Sequence, residues 1–339
     1  MLTDFTLIIP TRNRHAYIPR GIEYYGNSGI TTIIIDSSPE KYAGDIPFAN
    51  IRYLHMPGYS FVPKIAEVLK NINTPCTGMC ADDDFILPSS IESCVNFLKN
   101  NPSYASAQGN YMVYRRTGKN NLVLSPLLHP YQWEINAEKP AQRLTQLAEK
   151  YFHLYYAVHR TESFKEIFTS FDNSIKSLNL FELHLGCVAV INGKHKSLPV
   201  LYNVRETIIG STGQTAGNVS QMLTTDTQLK TIFFQSIAKK LAEKEGISMP
   251  QAMEHCEKVL NTYAARIKKP SPVQKIINAV LPYSKRHWLK YAKIKMKHGS
   301  IDNYNKKITK NRQGYPFNDA QYASEMEKIK SIVLKHVIS

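Results

Sequence analysis

Four short apolar runs set the frame for the rest of the chain. Phe5-Thr6-Leu7-Ile8-Ile9, Thr31-Thr32-Ile33-Ile34-Ile35, Ile51-Arg52-Tyr53-Leu54-His55 and Pro75 to Cys80 succeed one another along the N-terminal part of the sequence. Helical patterns separate them, from about Ala16 to Tyr25 and from Ser60 to Asn71, and a third runs from Ser89 to Lys99. Short runs of aliphatic and β-branched residues predict buried strands. Strands and helices alternating at this spacing predict a mostly parallel α/β sheet with flanking helices. In such sheets ligands bind beyond the carboxyl ends of the strands. The residues just after each run therefore carry the functional reading.

Three polar clusters occupy those positions. They are Thr11-Arg12-Asn13-Arg14, Asp36-Ser37-Ser38 and Asp82-Asp83-Asp84. The fold would bring them to one crevice. Three adjacent carboxylates repel one another, and a cation offsets that repulsion. Mg²⁺ is often held by one or two carboxylates plus substrate phosphates, so the cluster fits a metal–phosphate site. An acidic turn that caps the helix after Pro88 is the plainer account of the same residues. No G-x-G-x-x-G follows the first run and no G-x-x-x-x-G-K-[ST] occurs anywhere, which argues against dinucleotide and P-loop chemistry.

Further strands are expected at Tyr104 to Tyr114, Tyr155 to Arg160 and Leu198 to Glu206, with helices at Pro140 to Lys150 and after Thr161. Leu124 to Glu138, with Pro126, Pro130 and Trp133, reads as an irregular loop. Gly210 to Gly217 reads as a flexible loop that orders over a ligand. His159 reads as a structural histidine. A strongly apolar helix begins at Leu178, with Glu182 in its first turn. That acid either favours the helix dipole or is a buried carboxylate with the raised pKa of a general base.

From about Asn218 helical patterns dominate, at 220–244, 249–265, 273–280, 285–297 and 319–336. This divides the chain into an α/β domain, 1–217, and a helical region, 218–339. The formal net charge is +15, and Arg266 to Arg312 holds fourteen Lys/Arg against one acid, Asp302. Interleaved Trp288, Tyr283, Tyr291 and Met296 suit an anionic membrane surface. A solvated face or a polyanion patch accounts for the charge as well. No nucleic-acid recognition motif is present. Five scattered cysteines read as reduced thiols, and the start of the chain shows no signal-peptide pattern, so a cytoplasmic protein, peripheral on the inner membrane face, is expected.

With the clusters placed, the chain resembles glycosyltransferases of the GT-A fold, a Rossmann-like architecture, in their family 2-like group. The resemblance rests on Leu7-Ile8-Ile9-Pro10-Thr11-Arg12-Asn13-Arg14, Ile35-Asp36-Ser37-Ser38, Ala81-Asp82-Asp83-Asp84-Phe85-Ile86-Leu87-Pro88 and Tyr156-Ala157-Val158-His159-Arg160. Phe181-Glu182-Leu183, Ile191-Asn192-Gly193-Lys194 and Val204-Arg205 complete it, over roughly 3–215. It implies sugar transfer from a nucleotide-sugar, most commonly a UDP-sugar, to a glycan or lipid-linked acceptor. It implies that Pro10, Thr11, Arg12, Arg14, Asp36, Lys64, Asp82 and Arg205 bind the nucleotide. Asp82, Asp83 and Asp84 would hold Mg²⁺ or Mn²⁺. Counting back from Pro88 makes Asp83 the main ligand, whereas Asp82-x-Asp84 gives another register. Glu182 stands where the family carries its general base, usually an Asp, and implies inversion. A sugar nucleotidyltransferase, which would begin with a Gly-rich loop, and a catalytically inactive scaffold are the competing readings.

Overall fold

The computed structural model describes residues 2–117, 121–125, 133–207, 219–266, 283–301, 303–305 and 320–336. The expected loop at Gly210 to Gly217, the helix at 273–280 and most of the loop after Leu124 lie outside these residues. A mixed sheet forms the centre. Its strands are β1 (Leu2–Thr11), β2 (Ile30–Asp36), β3 (Ile51–His55), β4 (Cys76–Met79), β5 (Phe85–Ile86), β6 (Tyr104–Thr117), β7 (Asn121–Ser125), β8 (Glu134–Ile135), β9 (Val158–Arg160) and β10 (Lys194–Glu206). The order is β3-β2-β1-β4-β9-β6-β10-β5, with β7 on β6 and β8 on β10.

β1 lies between β2 and β4, parallel to both. Helices cover its faces, so Phe5, Leu7, Ile8 and Ile9 are all buried. This is why its sequence is a continuous apolar run rather than an alternation. The long ladders β1–β2, β2–β3 and β6–β10 are parallel as expected. The short strands β5, β7, β8 and β9 pair antiparallel. The expected strand from Tyr155 shrinks to β9, which bridges Cys76 of β4 and Ser106 and Ala107 of β6. Tyr155 and Tyr156, just before it, are engaged in side-chain contacts with Phe61 and Asp84 instead of extending the ladder.

Helices α1 (Ile18–Tyr25), α2 (Phe61–Leu69), α3 (Pro88–Asn100), α4 (Pro140–Glu149), α5 (Thr161–Ser170) and α6 (Leu178–Asn192) flank the sheet. Proline opens α3 and α4 and sits in the first turn of α1, where its missing N–H costs no hydrogen bond. The Ser177 hydroxyl accepts from Leu180 N and caps α6. From Leu180 to Ile191 all but Glu182 is buried, the signature of a helix covered on every side. The buried Arg143 donates to the carbonyls of Val190 and Ile191, satisfying the end of α6.

Helices Thr227–Glu245 and Met249–Arg266 cover α6 and α4, turning at Gly246 in the left-handed region (φ 69°). His255 bonds the Ala141 carbonyl across that contact. The helix Ala320–Lys335 returns to α1, where Lys328 donates to the Tyr24 carbonyl. One hydrophobic core thus includes Phe233, Leu241, Ile329 and Val333 together with the strands. All five cysteines are buried free thiols. Among the described residues no helix is long and apolar enough to cross a membrane.

Candidate active site

The parallel register places Thr11 opposite Asp36 at the carboxyl ends of β1 and β2. Ser37 N donates to the Thr11 carbonyl, and Asn13 N to Ser38 Oγ, which ties the two loops together. Asn13 adopts φ 55°, a conformation that asparagine tolerates better than most residues. Lys64, buried on α2, donates to the Thr11 carbonyl at 2.8 Å and to Ser37 Oγ at 3.0 Å. Burial lowers its pKa to about 8 against the pull of Asp36 and Asp82.

Asp36 is fully buried and does not line the cleft. Its Oδ1 accepts from Ser38 N and Oγ, and its Oδ2 from Tyr53 Oη and His15 Nε2. Burial pushes this carboxyl up, but the donors from Ser38, Tyr53 and His15 outweigh it and hold the pKa low. Both oxygens are thus engaged in shaping the loop.

Beyond β4, the Cys80 amide continues the ladder to Ile8, and a turn closed by Asp84 N on the Ala81 carbonyl presents the three aspartates. The cations that offset them are the protein's own. Arg14 spans two of them, with Nη1 at 2.9 Å from Asp82 Oδ1 and Nη2 at 2.7 Å from Asp83 Oδ2. Its guanidinium lies 4.0 Å above the Tyr17 ring. Thr11 Oγ1 donates to Asp82 Oδ2 at 2.7 Å. Asp84 is more deeply held: Oδ1 accepts from Glu206 N, and Oδ2 from Tyr156 Oη at 2.7 Å and Arg205 Nε at 3.3 Å. Burial raises the Asp82 pKa to about 6, with Asp83 adding to the rise and Arg14 and Thr11 opposing it. Burial and Asp83 likewise push Asp84 up against Arg205 and Tyr156.

Asp83 Oδ1 has no hydrogen-bond partner among the described residues, whereas Asp84 is spent on fastening the turn to β10. No three His, Cys, Asp or Glu side chains converge as a closed metal cage among the described residues. The donor that remains, Asp83 Oδ1, with Asp82 beside it held by Arg14 and Thr11, fits a hard cation that takes one or two carboxylates and completes its shell with phosphate and water.

The opposite wall comes from α6 and the segment before β9. Glu182 pairs with His153 Nδ1, and neither side chain is sealed from solvent. Burial raises the Glu182 carboxyl, but His153 and then Arg205 outweigh it, so its pKa is lowered. Of the two readings of this acid, the one with a raised pKa is corrected: its neighbours are hydrogen-bond donors and a cation, and they lower it. Phe61 stacks on Tyr155 with centroids 6.2 Å apart. Arg12 stands exposed at the mouth and makes no ion pair among the described residues. Together these groups line one cleft of about 460 Å³, shared by Pro10, Thr11, Arg12, Arg14, Lys64, the three aspartates, Glu182 and Arg205.

Sequence reasoning missed His153, Tyr156 and Glu206. His159, three residues beyond the cleft-lining Tyr156, is the structural histidine expected: its Nε2 bonds the Leu154 carbonyl and burial lowers its pKa to about 4. Glu206 bonds Arg20, Arg116 and Tyr114 through its side chain and Asp84 through its amide.

No protein-family model matches the sequence, and no curated protein matches it. Solved structures do match. The first 349 residues of S. aureus TarS in complex with UDP-GlcNAc superpose with a TM-score of 0.51 at 13% identity, over 97% of this chain and 90% of that one. The chain has a GT-A-like fold. The same TarS region alone and with UDP gives TM-scores of 0.49 and 0.47 at 11% and 12% identity, with the same coverage. The TarS complexes hold a nucleotide-sugar and a nucleoside diphosphate.

Proposed function

We propose that this protein is a glycosyltransferase that moves a sugar from a nucleotide-sugar, a UDP-sugar in the first instance, to an acceptor hydroxyl of a glycan or lipid-linked glycan. One observation carries the reading: the strand-end aspartates, the Thr11–Arg14 loop, Lys64, Arg205 and Glu182 share a single cleft. The TarS complex with UDP-GlcNAc, on the same fold, supports the donor class.

In this reading Thr11, Arg12 and Lys64 hold the nucleotide, and Asp36 acts indirectly by fixing the loop that carries Ser37. Mg²⁺ or Mn²⁺ on Asp83 and Asp82 would offset the charge of the diphosphate. Arg205, half-buried and pointing along Asp84, meets the departing phosphate from the far wall. Glu182 accepts the proton of the acceptor hydroxyl as it attacks the anomeric carbon, and the C–O bond to the diphosphate breaks on the opposite face, inverting the centre. A lowered pKa keeps Glu182 ionised and ready at neutral pH, and His153 fixes its orientation.

The second reading is a scaffold without catalysis. Its support is that Arg14 and Arg205 already compensate the aspartates, so the cluster is stable without a ligand. Thermal shift separates the two. UDP, GDP, CMP and dTDP are each tested with and without Mn²⁺ on the wild type and on Asp83→Ala. The transferase reading predicts one nucleotide that stabilises with metal in the wild type and not in the variant. Absence of any such nucleotide moves the scaffold reading to first place.

A further inference from the structure

The helix Tyr283–His298 contains Lys285, Arg286, Lys290, Lys293, Lys295 and Lys297 and no acidic residue. It also carries two of the most exposed large apolar side chains among the described residues, Leu289 at 50% and Met296 at 88%. They are seven residues apart, which at 100° per residue puts them on one face of the helix. Lys293 lies between them and Lys297 beside Met296, and neither makes an ion pair among the described residues. Elsewhere lysines on helices do pair, as Lys240 does with Glu166 and Lys335 with Glu23.

A residue beyond this helix ties the chain to the sheet. Asn305 Nδ2 donates to the Leu122 carbonyl at 2.8 Å, and Leu124 N donates to Asn305 Oδ1 at 3.0 Å. Leu122 and Leu124 belong to β7, which pairs with the distal half of β6, Val113 to Thr117. β6 runs parallel to β10, and both β4 and β6 are antiparallel to β9, so β6 points the same way as β4 and β1. The chain seven residues past the helix end is thus tethered at the carboxyl end of the sheet, the end that carries the cleft.

We propose that the helix Tyr283–His298 docks on an anionic lipid bilayer, with Leu289 and Met296 entering the interface and the lysines meeting headgroup phosphates. Charge complementarity and exposed apolar residues on the same face argue for this surface. A polyanion in solution would use the lysines but would leave Leu289 and Met296 in water. The docking places the cleft next to the bilayer, where a lipid-linked acceptor would present its hydroxyl. The proposal does not depend on the cleft's chemistry.

The test is co-sedimentation of the full chain with phosphatidylcholine vesicles, with and without phosphatidylglycerol. Binding is expected only with phosphatidylglycerol, and it weakens as salt rises. Lys293→Gln with Lys297→Gln is expected to weaken binding about 25-fold, at about fivefold per lysine. Leu289→Ser with Met296→Ser is expected to weaken it again without changing the salt dependence. Unchanged melting temperatures confirm that each variant is folded. No binding to phosphatidylglycerol vesicles overturns the proposal. So does a Leu289→Ser, Met296→Ser variant that binds like wild type, and equal capture on heparin would then identify the helix as a general polyanion patch.

Discussion

The acidic cleft and the basic helix treat charge in opposite ways. In the cleft the aspartate oxygens mostly have donors from the protein itself, Arg14 on Asp82 and Asp83 and Arg205, Tyr156 and Glu206 N on Asp84, and behind the cleft Asp36 has four donors. On the helix Tyr283–His298 Lys293 and Lys297 lie beside exposed Leu289 and Met296 and make no ion pair among the described residues. Paired and buried charge builds architecture and leaves a few defined openings, such as Asp83 Oδ1. Charge without partners beside apolar side chains has no architectural role and looks outward. Charge thus has two roles in the described residues, pairing inside the site and exposure at Lys293 and Lys297.

The sharpest way to press this contrast is at Glu182, the cleft acid assigned to chemistry rather than to architecture. Glu182→Gln keeps the shape and loses the proton acceptor. Transfer to an acceptor is expected to fall by about two to four orders of magnitude, with nucleotide binding unchanged. Equal loss of both would mean that Glu182 supports the wall and nothing more. Next comes Arg20, fully buried between Glu206 and the His336 carbonyl. Arg20→Met leaves Glu206 short of a partner in the interior and is expected to cost about 3–5 kcal/mol in urea unfolding. A loss below about 1 kcal/mol would show that the charge there is better hydrated than the paired picture holds.

A smaller effect concerns neutral buried histidines. Burial lowers the pKa of His159 from 6.5 to about 4, and of His184 and His195 to about 3. Between those values and 6.5 the unfolded chain binds more protons than the folded one, so stability rises with pH there. The stability held above pH 6.5 is lost as pH falls towards the folded values. Asp82, raised to about 6, acts in the opposite sense. His159→Gln is expected to make the pH dependence shallower by about 1 kcal/mol per pH unit around pH 5. Least of all, Lys293→Gln and Lys297→Gln are expected to leave the melting temperature unchanged, because neither makes an ion pair among the described residues.

The strand runs were legible because a strand covered on both faces cannot hide its composition, and β1, β2 and β4 fall where their apolar residues do. The three polar clusters were legible for the same reason, since strand ends fix where the following residues go. What sequence left out came from distant pairings. Nothing local marks Glu206 as the partner of Arg20, 186 positions away. Nor does anything local mark His153 as the partner of Glu182. A histidine between two tyrosines just before a short strand was the available signal. β9 was overestimated because Tyr155 and Tyr156 have strand-forming side chains but spend them on Phe61 and Asp84. Asp36 was placed at the right strand end, but only the structure shows that its oxygens are already taken.

The most direct test of the account is calorimetric titration of UDP with Mn²⁺ into the wild type and into Asp83→Asn, which keeps the side chain's shape and its place beside Arg14. The account predicts binding in the wild type that requires the metal and weakens at least about tenfold in the variant, about 1.4 kcal/mol. Identical titrations for the two proteins, or no binding in the wild type with metal present, would contradict it.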